Sequence, residues 1–129
     1  MADAALRQRL VAILAADAAG YSRLMAADER ATVAALDRAR GVFRSQVESN
    51  EGRVIDMAGD SVLAVFEAAE SAVRAALEIQ RGLDEATGGI GPNEDLRFRI
   101  GVHLGDVMEK PDGTVYGDGV NIAARLQAL

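Results

Sequence analysis

A chain of 129 residues has room for one domain and one hydrophobic core. Half of it is hydrophobic and 26% charged, which excludes disorder as the default, and no apolar run approaches the roughly 18 residues a membrane-spanning helix needs. With no cysteine, one histidine and a net charge of −6, the chain has no disulfides or thiolate chemistry, no histidine-rich metal site and little attraction for nucleic acid or an anionic membrane.

The N-terminus MADAALRQRL carries no sustained apolar stretch of the kind a secretory signal requires, and the lack of cysteine suits a reducing, cytoplasmic compartment. Leu10 to Ala15 is a short apolar run, read as a buried strand that ends in a turn-like stretch from Ala16 to Gly20. Asp28 is placed to cap the next helix, in which Val33, Leu36, Ala39, Phe43 and Val47 recur at helical spacing until Asn50-Glu51-Gly52 stops it. Arg38, Arg40 and Arg44 fall on a solvated face of that helix. Arg53 to Met57 and Ser61 to Phe66 read as a β-hairpin whose tip, Ala58-Gly59-Asp60, is acidic. A second helix follows from Ala69 to Thr87, with Ala72, Val73, Ala76, Ile79 and Leu83 on one face, and Gly88 to Pro92 breaks it. Leu96, Phe98, Ile100 and Val102 alternate with polar or small residues in a strand, and Gly105 to Glu109 reads as a return strand. Pro111-Asp112-Gly113 is a turn, Tyr116 to Gly119 a loop, and Val120 to Leu129 a closing helix.

This order predicts an α+β fold: a ferredoxin-like βαββαβ core with an added strand and helix. In that topology the first and third strands are antiparallel neighbours. Asp17, just past the first, and Asp60, just before the third, then meet at one sheet end. Such a carboxylate pair can share a proton, repel across a solvated gap, or bind a hard cation that also takes substrate phosphates; alternatively both are turn residues. The segment Ala18 to Ser22, including Gly20 and Tyr21, leads into a short helix whose backbone amides could face an anion. Asn121 and Arg125 share a face of the last helix, where a carboxamide and a guanidinium can orient a sugar and neutralise a phosphoryl oxygen, or act as a cap and a solvated charge. His103, alone of its kind, reads as a polar residue on the open face of its strand.

Four segments, in order, resemble the class III nucleotidyl cyclase catalytic domain, the family of adenylyl and guanylyl cyclases. They are Ala15 to Ser22 (AADAAGYS), Ala58-Gly59-Asp60, Arg99 to Gly105 (RIGVHLG) and Tyr116 to Leu126 (YGDGVNIAARL). The resemblance implies that Asp17 and Asp60 hold two divalent ions, Mg²⁺ or Mn²⁺, with the backbone carbonyl of Ala18 as a further ligand. It implies that Asn121 orients the ribose and Arg125 stabilises charge on the α-phosphate. Asp56 and Thr114 fall on the base-reading positions. Thr114 suits adenine, because a hydroxyl accepts from the exocyclic amine; Asp56 stands where adenylyl members carry a lysine, is closer to the guanylyl pattern, and could instead be a strand-end charge paired with an arginine. The implied reaction is conversion of ATP to cyclic AMP and pyrophosphate, with GTP as the alternative substrate and a non-catalytic regulatory or dimerisation module as a third reading. The resemblance further implies a homodimer with composite sites, the aspartates from one copy and Asn121 and Arg125 from the other. It also implies a continuation past Leu129 that adds strands and a triphosphate-contacting lysine, so the chain reads as a cyclase domain cut short.

Overall fold

The structure, a computed structural model, describes residues 6–87 and 96–129. Strand β1 (Arg7–Ala19) is followed by a short helix α1 (Tyr21–Ala27) and a long helix α2 (Glu29–Ser49). Strands β2 (Arg53–Ala58) and β3 (Ser61–Phe66) form the hairpin, and helix α3 (Ala69–Thr87) crosses back. Strand β4 (Arg97–Glu109), the two-residue strand β5 (Val115–Tyr116) and helix α4 (Asp118–Gln127) complete the chain. The sheet is antiparallel throughout in the order β2-β3-β1-β4-β5, which is the expected ferredoxin-like arrangement with an appended strand and helix. Among the described residues no helix is long and apolar enough to cross a membrane.

Two expectations about the strands are corrected. Gly105 to Glu109 is no return strand; it continues β4, which pairs with β1 without a break from Arg7↔Glu109 to Ala19↔Arg97. The extra strand is β5 instead. For the same reason β1 does not end at Ala15. The ladder carries it on to Ala19 and places Asp17 inside the strand, opposite Arg99. The alanines of this stretch are weak strand formers, so cross-strand pairing overrides propensity here. The Gly88 to Pro92 break lies outside the described residues.

Alternation along β1 divides the core into two layers. Ala12, Leu14, Ala16 and Ala18 face α2 and α3, where Phe43 meets Phe98 edge-to-face at 5.0 Å between ring centroids. Such a pair contributes about 0.5–1.5 kcal/mol beyond the area it buries. Val11, Ile13 and Ala15 face the other way and pack with Val65, Val107, Val115 and Ala123 under α4. On α2 the buried line runs through Thr32, Ala35, Leu36, Ala39, Phe43 and Val47, so Val33, expected inside, is 41% exposed. The Thr32 hydroxyl is satisfied by donating to the backbone carbonyls of Asp28 or Leu24, which lets a polar residue take the inward position. On α3 Ala75 is buried and Val73 is exposed, again one position off the expected line.

The helix boundaries have local causes. The Asp28 carboxylate accepts from the Ala31 amide at 3.0 Å, capping α2 as expected. At the other end the left-handed residue is Glu51 (φ 62°), not Gly52. Gly52 is needed for closeness: a Cβ there would lie 2.4 Å from the Phe66 ring.

Candidate active site

The site is built at one end of the sheet. Asp17 is on β1 with its side chain on the α4 face, the side to which Val11, Ile13 and Ala15 also point. Asp60 leaves the β2–β3 tip and its Oδ2 accepts from the Ala18 amide at 3.2 Å. This sets the Asp60 carboxylate on the backbone beside Asp17, at the sheet end where the strand order puts both residues. The hairpin can turn this tightly because Gly59 holds φ at 57°, a conformation L-residues rarely adopt.

Both oxygens of Asp17 are already engaged. Oδ1 accepts from Nε and Nη2 of Arg99 at 3.1 and 3.0 Å, and Oδ2 accepts from the Gln127 side-chain amide at 3.3 Å. Arg99 is 46% exposed at its side chain, so it is a movable counter-charge and not a locked core pair. Gln127 comes from α4, and its Oε1 is buried without a partner among the described residues. A single side-chain contact therefore links the helix bearing Asn121 and Arg125 to an aspartate of the same chain. Sequence reading missed it, because the two residues are 110 positions apart.

The hairpin tip is held from the helix layer. Arg40 Nη2 donates to the Gly59 carbonyl at 2.6 Å, and Arg44 reaches the Met57 sulfur at 3.6 Å. Arg38 donates to the Ala86 carbonyl at 2.6 Å. The three arginines, expected to be a solvated face, are thus partly tethers. Arg40 is half-buried and acts on the residue next to Asp60. The four-residue spacing of Arg40 and Arg44 placed them on one helix face, but nothing in sequence said that the hairpin faces it.

Asn121 and Arg125 are exposed on α4, and neither side chain has a hydrogen-bond or ion-pair partner among the described residues. No such bond joins them to Asp17 or Asp60. Gly20, left-handed at φ 67°, precedes α1, and the half-buried Tyr21 and exposed Ser22 open that helix. Asp56 is exposed and unpaired among the described residues, which removes the strand-end ion pair as its explanation. It lines a cavity of about 200 Å³ together with Ala15, Leu63, Val120 and Ala124, on the α4 side of the sheet. Thr114 is half-buried; its amide donates to Asp112 Oδ1 at 2.9 Å and its carbonyl accepts from the Lys110 amide at 2.9 Å. The Thr114 amide holds the Asp112 carboxyl below the usual carboxylate range. His103, on the same sheet face as Ile13, folds over Gly105, whose Cβ would lie 2.7 Å from its Nε2.

The donor set fits a hard divalent cation. Among the described residues no group of three or more His, Cys, Asp or Glu side chains converges. Two carboxylates with a backbone oxygen nearby leave coordination positions to water and substrate phosphates, as Mg²⁺ sites commonly do. A larger cavity, about 570 Å³, lies at the opposite end of the sheet among Arg7, Arg9, Arg53, Glu109 and Lys110, away from the carboxylate pair.

Comparison with known proteins gives the family. Residues 4–129 match the family described as the adenylate and guanylate cyclase catalytic domain. The protein named "Putative adenylate cyclase 3" of Rhizobium meliloti (strain 1021) is 44% identical over 130 residues, covering 100% of this chain and 22% of that protein. "Adenylate cyclase 1" of the same organism is 30% identical over 116 residues, covering 75% of this chain and 17% of that protein. The chain thus spans about a fifth of the length of the curated relatives it matches. A crystal structure described as an adenylate/guanylate cyclase/hydrolase from Silicibacter pomeroyi superposes with a TM-score of 0.82 at 38% identity, covering 95% of this chain and 72% of that one. With the family matched along nearly its whole length, the chain belongs to the adenylate and guanylate cyclase catalytic domain family.

Proposed function

We propose that this domain converts ATP to cyclic AMP and pyrophosphate in a cytoplasmic signalling protein, working as a homodimer with two composite sites. The observation that carries the reading is the Asp60 carboxylate on the amide of Ala18, the residue after Asp17, in a nucleotide cyclase fold. Asp17 and Asp60, with the Ala18 carbonyl, would hold two Mg²⁺ or Mn²⁺ ions. Bound there, such ions supply Lewis-acid stabilisation of the attacking and leaving oxygens. In the reaction the ribose 3′-oxygen bonds to the α-phosphorus, the bond from that phosphorus to the β-phosphate oxygen breaks, and the hydroxyl proton is lost to solvent.

The chain's own residues do the remaining work. The backbone at Gly20, Tyr21 and Ser22 follows Asp17 closely and is read as part of the phosphate side of the site. Arg125 neutralises charge growing on the α-phosphoryl oxygens, and Asn121 orients the ribose. Both side chains are exposed and unpartnered among the described residues, which supports delivery to the carboxylates of a second copy across a twofold axis. Thr114 accepts from the adenine amine. Divalent charge and Arg125 allow a chain of net charge −6 to take a polyanion.

A second reading is GTP turnover, favoured by one observation: Asp56, unpaired among the described residues, lines the α4 cavity and can accept from the donors on guanine. The test is turnover of ATP and of GTP with Mg²⁺ or Mn²⁺, with products separated. Cyclic nucleotide that disappears in Asp17→Ala and Asp60→Ala is the expected result; unaltered turnover in either variant overturns the site.

A further inference from the structure

The edge strands β2 and β5 lie at opposite ends of the strand order, yet side chains tie the two edges together. Arg53, the first residue of β2, donates through Nη1 to the Gly113 carbonyl at 3.1 Å and through Nη2 to Glu109 at the end of β4. The other oxygen of Glu109 accepts from Arg9 of β1 at 3.0 Å, and Arg9 also pairs with Glu67 just past β3. One carboxylate, whose side chain is 14% exposed, thus laces β1, β2 and β4. The Arg9 guanidinium, with Arg53 adding to it, holds the Glu109 carboxyl below the usual carboxylate range, so the clasp is charged at neutral pH.

The clasp grips the chain beside both residues read as facing the base. Gly113 immediately precedes Thr114. The turn from Lys110 to Thr114 is closed by Lys110 amide to Thr114 carbonyl, Gly113 amide to Lys110 carbonyl, and Thr114 amide to Asp112 carboxylate. Whatever displaces Gly113 displaces Thr114 with it. On the other edge Arg53 precedes Asp56 by three residues, and the register of β2 on β3 shifts between Val54 and Asp56. Past the bulge Asp56 stays paired with Leu63, and Arg53 adds a tie from the start of β2 directly to the far side of the sheet.

We propose that Arg53 is a positioning residue for nucleobase selection: by joining β2 to Gly113 and Glu109, it sets the separation of Asp56 and Thr114. The proposal rests on the reading that these two residues face the base. Adenine and guanine present opposite donor and acceptor patterns on the same edge, and a hydrogen bond lengthened from about 2.9 to 3.6 Å is lost. A change in separation therefore changes which base is held, and not merely how well.

The test measures kcat/KM for ATP and for GTP, with Mn²⁺, in Arg53→Ala, Arg53→Lys, Asp56→Asn and Thr114→Val, together with the Mn²⁺ concentration for half activation. Arg53→Ala should shift the ATP:GTP ratio by roughly five- to tenfold, the worth of one hydrogen bond, with the Mn²⁺ requirement unchanged. Arg53→Lys keeps the charge on Glu109, protects the fold, and should shift the ratio by less. Equal losses for both nucleotides in both Arg53 variants would mark Arg53 as a purely structural brace and overturn the proposal. A shift in Asp56→Asn or Thr114→Val without one in the Arg53 variants also overturns it, while leaving the base-reading assignment standing. Silent Asp56→Asn and Thr114→Val remove that assignment, and the proposal falls with it whatever Arg53 does.

Discussion

Replacing Gly101 by alanine should unseat α4 without touching a proposed catalytic group. Gly101 is buried on β4, opposite Ala15. A Cβ at this position would lie 2.6 Å from the Gln127 amide nitrogen and 2.8 Å from the Ala123 carbonyl oxygen, against the 3.4 Å at which ordinary contact begins. Both obstacles are helix backbone, so α4 must retreat by about 0.8 Å to restore contact, the difference between 3.4 and 2.6 Å. Overpacking of this kind costs about 1–3 kcal/mol of stability. A displacement near 1 Å of groups that must meet a transition state costs about a hundredfold in rate. Gly101→Ala should therefore lower kcat by roughly thirty- to a hundredfold at saturating substrate, measured as cyclic nucleotide formed. The Mn²⁺ requirement, which the proposal assigns to Asp17 and Asp60, should move much less. Gly41 on the exposed side of α2 is the control: nothing lies within 4 Å of its added Cβ, and alanine there should leave kcat unchanged and stabilise the helix by up to about 1 kcal/mol. Wild-type kcat in a folded Gly101→Ala protein would refute the argument that the seat of α4 on β4 positions catalytic side chains.

Three further outcomes follow from the same contacts. Asp60→Asn keeps an oxygen for the Ala18 amide and should fold with stability within about 0.5 kcal/mol of wild type, yet lose at least about a hundredfold in metal-dependent turnover; equal turnover would remove Asp60 from the metal site. Arg40→Gln frees the Gly59 carbonyl and should raise the Mn²⁺ concentration for half activation by roughly fivefold, as one lost hydrogen bond predicts; an unmoved requirement would show that the hairpin tip holds itself. The folded-state pKa of Glu109 is depressed, so its contribution to stability is present above the unfolded value of about 4.3 and is lost as pH falls through the folded value. Urea midpoints between about pH 2 and 6 should accordingly fall more steeply for wild type than for Glu109→Gln, and parallel curves would deny the clasp its charge.

What could be read from sequence was whatever depends on local pattern. The hairpin Arg53 to Phe66, the cap at Asp28 and the limits of α3 followed from periodicity and turn residues. The arrival of Asp60 at the backbone next to Asp17 followed from strand order alone, because neighbouring antiparallel strands fix which ends adjoin. What local pattern hid was set by pairing over distance. Gly105 made β4 look interrupted, although its partner β1 runs beside it for 13 residues. Periodicity gave the face of α2 on which Arg40 lies but not the carbonyl it reaches. Arg53 and Glu109 are 56 positions apart and meet only because the edge strand β2 comes within reach of the end of β4. Asp56 and Thr114 could be named from the family resemblance, whereas the brace beside them needed coordinates.

The most direct measurement of the central claim is complementation between two inactive proteins. Asp17→Ala removes a proposed metal carboxylate and Arg125→Ala removes the proposed phosphate-stabilising cation, so each homodimer should be inactive. Mixed one to one and allowed to exchange, half of the dimers pair one of each, and such a pair holds one intact site and one doubly defective site. Cyclic nucleotide production should return to about a quarter of the wild-type specific activity. A mixture no more active than its two components, with exchange verified, would contradict an active site shared between two copies of this chain.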